Sequence, residues 1–231
     1  MYLSKRTCGL ITGTSVLVMA VIAMFSYGYI FEKLIVKNNG IETFNNLKSA
    51  YGVFVAGIFG WGIIFFLDVL VACSLYVFFK DLNYKISLFS SILRILYSFG
   101  LAYASLHLLD IVPLLNGNID NHEAVLLKLK AFELTWVKSL IIFGFHLIGL
   151  GVVVVKLKSN FNKFGYLIIF SGLCYVLLNL LKISLPLLGE RIMMVELILS
   201  LPMAMAEIGL GFWLIIKGGS TPEALRKELL V

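Results

Sequence analysis

Four ionisable residues, Asp68, Arg94, His146 and Glu207, each stand inside a separate apolar stretch of the sequence. At about 1.5 Å per helical residue, each lies roughly 12 to 17 Å from the end of its stretch on one common side, which predicts a single layer near the middle of a bilayer. A charge placed there costs about 2.5 to 3.5 kcal/mol on insertion scales, so four in a small chain call for mutual pairing, a hydrated cavity or a function. Asp68 and Arg94 are about equally far from the connection at residues 80–85. Antiparallel neighbours would bring them level as a salt bridge, which either fixes helix register or helps to hold a ligand. His146 and Glu207 share that depth and could exchange a proton. Pro202, five residues before Glu207, removes a backbone hydrogen bond and is expected to kink or locally open its stretch, exposing backbone groups to an anion or a lipid headgroup.

The elements that must carry these residues are helices in a membrane. Of 231 residues, 60% are hydrophobic and 14% charged, against about 45 to 50% apolar in a soluble domain. Six apolar stretches, about 8–31, 51–79, 86–110, 132–155, 164–187 and 193–216, reach the roughly 20 residues needed to cross about 30 Å of hydrocarbon. The predicted fold is all-α: a six-helix transmembrane bundle over residues 1–217 and a short tail over 218–231. The first stretch has the positive flank of a signal peptide, but its apolar run is too long and lacks a small-x-small cleavage site, so a retained helix is expected.

Lys and Arg favour cytoplasmic loops. Lys5, Arg6, Lys80, Lys85, Lys156, Lys158, Lys163, Lys217, Arg226 and Lys227 fall on one side, and the basic residues opposite are diluted by Glu32, Glu42, Asp120, Glu123 and Glu190. Both termini are therefore expected in the cytoplasm, with the chain crossing a cell (plasma) membrane several times. The net charge of +6 reads as topology and attraction to anionic lipid. The basic residues are dispersed, which makes membrane lipids the expected partners and gives no nucleic-acid groove. The sequence leaves the oligomeric state open. Outside, Ile41, Phe44 and Leu47 predict a short helix lying in the membrane interface. Asp120 with Glu123 resembles a capping box opening a helix that runs on into the fourth span. In the tail, Ser220-Thr221-Pro222-Glu223 looks like a helix start.

Polar residues recurring every three or four positions mark the face that each helix turns inward. Span three carries Ser87, Ser90, Ser91, Arg94, Tyr97, Ser98 and Ser105; span four Thr135, Ser139 and His146; span five Ser171, Tyr175, Asn179 and Lys182; span six Glu196, Ser200 and Glu207; span one a weaker Thr12, Ser15 and Ser26. Serines alone can be interhelical glue at about 0.6 kcal/mol each. Stripes on every span point further, to a bundle around a hydrated or ligand-filled cavity. The candidate ligand-binding or polar-core set is Asp68, Arg94, His146, Glu207, Tyr97, Tyr175 and Asn179. Lys182, Glu196, Glu133 and Lys138 decorate the external halves of their spans, where they either snorkel or form a charged vestibule.

Several chemistries lack their residues. Paired haem ligation needs two histidines at one depth, whereas His107 is near the external interface and His146 near the middle. Cys8, Cys73 and Cys174 are odd in number and without metal-type spacing, so neither a disulfide framework nor a zinc site is expected, and no cofactor is implied. Gly9-xxx-Gly13, Gly57-xx-Gly60 and Gly149-x-Gly151 read as points of close helix packing. An inverted repeat is topologically allowed, yet the polar positions of spans two and three do not map onto those of five and six. Three functions stay open: binding or transport of a small molecule or lipid in a central polar cavity, an intramembrane enzyme acting on a lipid or isoprenoid, and a structural or accessory subunit. The enzyme would use His146 or Glu207 as general base and Arg94 to hold an anionic headgroup. No motif names a reaction.

The order of these features resembles a family of bacterial membrane proteins known as domain of unknown function 4386. The matching segments are FFLDVLVACSLYVFFK with Asp68, LRILYS with Arg94, FGFHLIGLG with His146, FGYLIIFSGLCYVL, and PMAMAEIGLGFWLIIKG with Glu207. The resemblance covers nearly the whole chain, with residues 111–131 carrying no part of the likeness. The resemblance implies a six-span inner-membrane protein with polar residues at these positions, and it transfers no catalytic role.

Overall fold

The computed structural model describes residues 4–36, 39–117, 121–157 and 159–218. The expected capping residue Asp120 and the tail motif at 220–223 lie outside them. Six helices are long and apolar enough to cross a membrane, over Lys5–Leu34, Tyr51–Phe79, Tyr84–Asn116, His122–Val155, Phe161–Ser184 and Pro186–Ile216. In finer detail the chain runs through α1 (Lys5–Ala23), a π-helical turn (Met24–Tyr29), α2 (Ile30–Leu34), α3 (Gly40–Ser49), α4 (Tyr51–Phe79), α5 (Tyr84–Leu109), α6 (Ile111–Asn116), α7 (His122–Val155), α8 (Phe164–Ser184) and α9 (Gly189–Ile216). Among the described residues there is no strand.

Each long helix packs on those before and after it in sequence, and α9 returns to α1, so the six spans close a ring in chain order. The start and end of that ring meet directly. Arg6 Nη1 donates to the Ile215 carbonyl at 2.8 Å and to the Gly218 carbonyl at 3.2 Å, satisfying acceptors that the end of α9 leaves without helical partners. We refer to this end of the bundle as the terminal face and to the other as the far face.

Small residues set the spacing where a Cβ would not fit. Along α7 and α8, Gly144 faces Gly172 and Gly151 faces Gly165; a Cβ on Gly144 would come within 2.7 Å of the Gly172 carbonyl, and one on Gly151 within 2.7 Å of the Gly165 carbonyl. The antiparallel backbones therefore touch at two levels seven residues apart, the close approach that small residues permit in lipid. Gly149, two positions from Gly151 and on the opposite side of α7, receives Ser90 of α5, 3.2 Å from where its Cβ would be. One short glycine pair thus fits α7 between two neighbours. α7 is the longest element, and it supplies a buried face to α5, α8 and α3.

Helix starts follow local capping. Asn83 Oδ1 accepts from the Ile86 amide at 3.0 Å to open α5, and Asn39 Oδ1 accepts from the Glu42 amide at 3.1 Å to open α3. In α3 the apolar residues divide: Phe44 and Leu47 are buried while Ile41 is exposed. The element closes the far end of the ring against α7 instead of presenting a single apolar face outward. The helix expected to run into span four does so without a break from His122 to Val155. α9 stays helical through Pro202, although proline leaves the Ile198 carbonyl without its usual donor.

The π turn between α1 and α2 has no counterpart in the sequence expectation, which treats that span as one regular helix. It places Ser26 in the interior, 1% exposed, against the glycines Gly57 and Gly60 of α4. Tyr27 packs edge-on to Trp136, with centroids 4.7 Å apart. The wider turn re-aims these two side chains toward α4 and α7.

Candidate functional site

Polar side chains from five helices meet inside the ring as two bonded groups. The first joins α4, α5 and α7. Arg94 Nη2 donates to Asp68 Oδ1, as the short α4–α5 connection leads one to expect. Arg94 Nη1 lies 3.2 Å from His146 Nε2. A guanidinium can only donate, so Nε2 is the acceptor. The other ring nitrogen, Nδ1, lies 2.9 Å from the Ser90 carbonyl, which can only accept, so the ring proton resides on Nδ1. Ser90 Oγ in turn donates to the His146 carbonyl at 2.9 Å. His146 is a neutral imidazole with both nitrogens engaged. It is fully buried, and Asp68 and Arg94 are 2% and 4% exposed. The charges of Asp68 and Arg94 cancel, which is how a bilayer interior tolerates them. The guanidinium also lies over the Phe143 ring, 5.3 Å from its centroid.

The second group joins α8 and α9. Tyr175 Oη donates to Glu207 Oε1 at 3.1 Å. Among the described residues no cationic side chain forms an ion pair with Glu207. One turn along α8 from Tyr175, Asn179 Nδ2 donates to the Tyr175 carbonyl at 2.8 Å, while Asn179 Oδ1 is buried without a donor. Phe143 separates the two groups: its ring stands edge-on to Tyr175 at 5.2 Å and tilted toward Tyr97 and His146 at 4.7 and 5.6 Å. Arg94 and Glu207 both line a small cavity completed by residues such as Thr12, Val16, Leu147 and Ala206. Its volume is about 10 Å³ counted as space for water centres, room for about one water molecule. Toward the far face, Lys182 Nζ pairs with Glu196 Oε1 at 2.7 Å, with the two side chains 28% and 32% exposed.

All seven sequence candidates are buried or partly buried, and they divide. Asp68, Arg94 and His146 are bonded together. Tyr175 and Glu207 form a separate pair, Asn179 is tied to the Tyr175 backbone, and Tyr97 contributes an aromatic wall. His146 and Glu207 are not bonded to each other, so the proton exchange expected from their common depth has no direct path between them. Ser90 stood in the span-three stripe without an assigned role, and the structure makes it the partner that orients His146. Phe143 was not singled out, since an aromatic residue in an apolar span carries no signal of what it separates. Ser74, also outside the stripes, donates or accepts a 2.7 Å hydrogen bond with Thr12 across α4 and α1. Among the described residues no three of His, Cys, Asp and Glu are grouped so that they could hold a metal ion.

No curated protein and no solved structure matches the chain. A family model does: the one described as Domain of unknown function (DUF4386) matches residues 11–218. The matched region takes in most or all of every membrane-spanning helix and both polar groups. This multi-pass membrane protein therefore belongs to the DUF4386 family.

Proposed function

We propose that the protein binds a small molecule or lipid within the bundle, in the plasma membrane of a bacterium, with both termini in the cytoplasm. The observation that carries this reading is the contrast at the cavity between Arg94 and Glu207. Arg94 has its counter-charge in Asp68, whereas Glu207 has a hydroxyl partner and no cation. An intramembrane acid retained without a cationic partner is a functional-site hypothesis by default. The orientation rests on the basic residues near the terminal face, among them Lys5, Lys80, Lys85, Lys156 and Lys217.

A second reading, a structural or accessory subunit, is favoured by the size of the cavity and by the bonds that tie Asp68, Arg94, His146 and Ser90 together, which leave Arg94 Nε without a partner. In the enzyme reading His146 is a poor general base, since its Nε2 lone pair already accepts from Arg94. That leaves Glu207 to fill the role.

Native mass spectrometry of the purified full chain tests the proposal. The expected result is one retained molecule per chain, lost on Glu207→Gln and weakened by Tyr175→Phe while both variants stay folded. A wild-type chain that carries nothing above the detergent background, with a Glu207→Gln variant indistinguishable from it in cells, overturns the proposal and leaves the structural reading.

A further inference from the structure

We propose that the molecule bound at Glu207 is a lipophilic amine, one protonated amino group on an apolar body, and that it arrives from the surrounding lipid between the far halves of α1 and α9. This deepens the reading above and rests on it.

The charge balance of the interior comes first. Asp68 and Arg94 cancel, and the hydrogen-bond partners of His146 fix it as neutral. Glu207 as a carboxylate therefore leaves the layer one positive charge short, among described residues that offer it no ion pair. The group that carries this deficit is an acceptor, the Glu207 carboxylate, whose hydrogen bond comes from Tyr175; Arg94, which lines the same cavity and has a buried Nε without a partner, is already neutralised by Asp68. A buried carboxylate without a cation selects a donor-rich cation, and an ammonium has three N–H groups to offer. Tyr175, bonded to Glu207, adds aromatic surface of the kind that attracts an ammonium.

The route follows from one face of α9. Glu196, Ser200, Glu207 and Gly211 recur at intervals of four, seven and four residues, so they share that face. At Gly211 the face is covered, since Gly13 of α1 lies against it, and a Cβ on Gly13 would come within 2.5 Å of the Gly211 carbonyl. Two turns beyond Glu207, Ser200 on the same face is exposed, and so are its neighbours Ile198 and Leu201, 74% and 68%. The first span parts from α9 here, since its π turn and α2 pack on α4, and Val21 and Met24 are 68% and 74% exposed. Glu207 thus sits where α1 and α9 part, bonded on one side and facing an opening on the other. An apolar body fits the lipid-facing part of that opening, and its single small polar end can reach the carboxylate. A phospholipid headgroup would bring a phosphate beside the Glu207 carboxylate, where Arg94 already has Asp68 as its counter-charge. The cavity holds about one water, so admitting an ammonium requires α9 to shift. Pro202, between Ser200 and Glu207, is where its hydrogen-bond ladder is already interrupted.

The test uses the full chain in nanodiscs, incubated with dodecylamine, dodecanol or dodecanoate and read by native mass spectrometry. Wild type is expected to retain one dodecylamine in roughly tenfold or greater preference over the alcohol and the acid, the span of a charge-assisted hydrogen bond. Glu207→Gln should abolish the preference. Ser200→Trp, which fills the opening and leaves the Tyr175–Glu207 bond alone, should cut amine retention to a similar extent. Should Glu207→Gln fail to fold, Glu207→Asp keeps the charge and is expected to keep the preference for amine over alcohol. Retention of dodecylamine undiminished in Ser200→Trp overturns the lateral route while the interior site stands. Preference for dodecanol or dodecanoate, abolished by Glu207→Gln, overturns the amine and again leaves the site standing. No probe retained by wild type, with no endogenous molecule either, removes both proposals.

Discussion

The two polar groups inside the ring lie on either side of Phe143, yet they are built to different standards. On the α4–α5–α7 side, Asp68, Arg94, His146 and Ser90 exhaust most of one another's donors and acceptors, and a glycine at 149 brings Ser90 close enough to take part. On the α8–α9 side, Glu207 has one hydrogen bond from a tyrosine, Asn179 keeps an unfilled oxygen, and the helix carrying Glu207 is covered by α1 along only part of its length. The first arrangement lowers the cost of burying charge until it serves as a register device. In the second the cost is left unmet, which natural proteins tolerate chiefly at functional sites.

That contrast can be broken experimentally by asking which side loses fold and which loses only function. The largest effect is expected from Arg94→Ala, which strands Asp68 as a buried, unpaired charge. A loss of about 3 to 5 kcal/mol should appear as little folded protein in detergent, and thermal unfolding of an Asp68→Leu/Arg94→Leu double variant should recover much of it. Gly172→Leu should follow, because a side chain there meets the Gly144 backbone and forces α7 and α8 apart. A cost of about 1 to 3 kcal/mol would lower the unfolding midpoint followed by tryptophan fluorescence. His146→Phe keeps an aromatic ring but leaves an Arg94 N–H without its acceptor and takes the side-chain donor from the Ser90 carbonyl, for about 1 to 3 kcal/mol in the same measurement. The smallest change in stability belongs to Glu207→Gln, about 0.6 kcal/mol, since an amide oxygen can still accept from Tyr175. Were Glu207→Gln to unfold the protein as Arg94→Ala does, the two sides would be alike and the distinction would fail.

Depth along the membrane normal was legible in the sequence, because counting residues from a short connection measures it. Asp68 and Arg94 were placed at one level in this way and are bonded, and the second span, read as residues 51–79, is α4 from Tyr51 to Phe79. Azimuth around the ring was not legible. The same count expects His146 and Glu207 at one depth, but α7 sits beside α5 whereas α9 lies beyond α8, so the histidine turns to Arg94 and Ser90 and the acid to Tyr175. Side-chain period tells which face turns inward and leaves open which neighbour it meets. The π turn at Met24–Tyr29 and the division of α3 into buried Phe44 and Leu47 and exposed Ile41 arise from tertiary packing that local pattern does not encode.

The ring in chain order also bears on how the molecule is assembled. As successive helices leave the translocation machinery, each finds its permanent neighbour already in the bilayer, with the exception of the first. The Gly9 and Gly13 surface of α1 has to wait for α9, and until Arg6 reaches the Ile215 carbonyl that surface stays lined with lipid. Synthesis interrupted anywhere before the sixth helix therefore leaves the same unsealed edge.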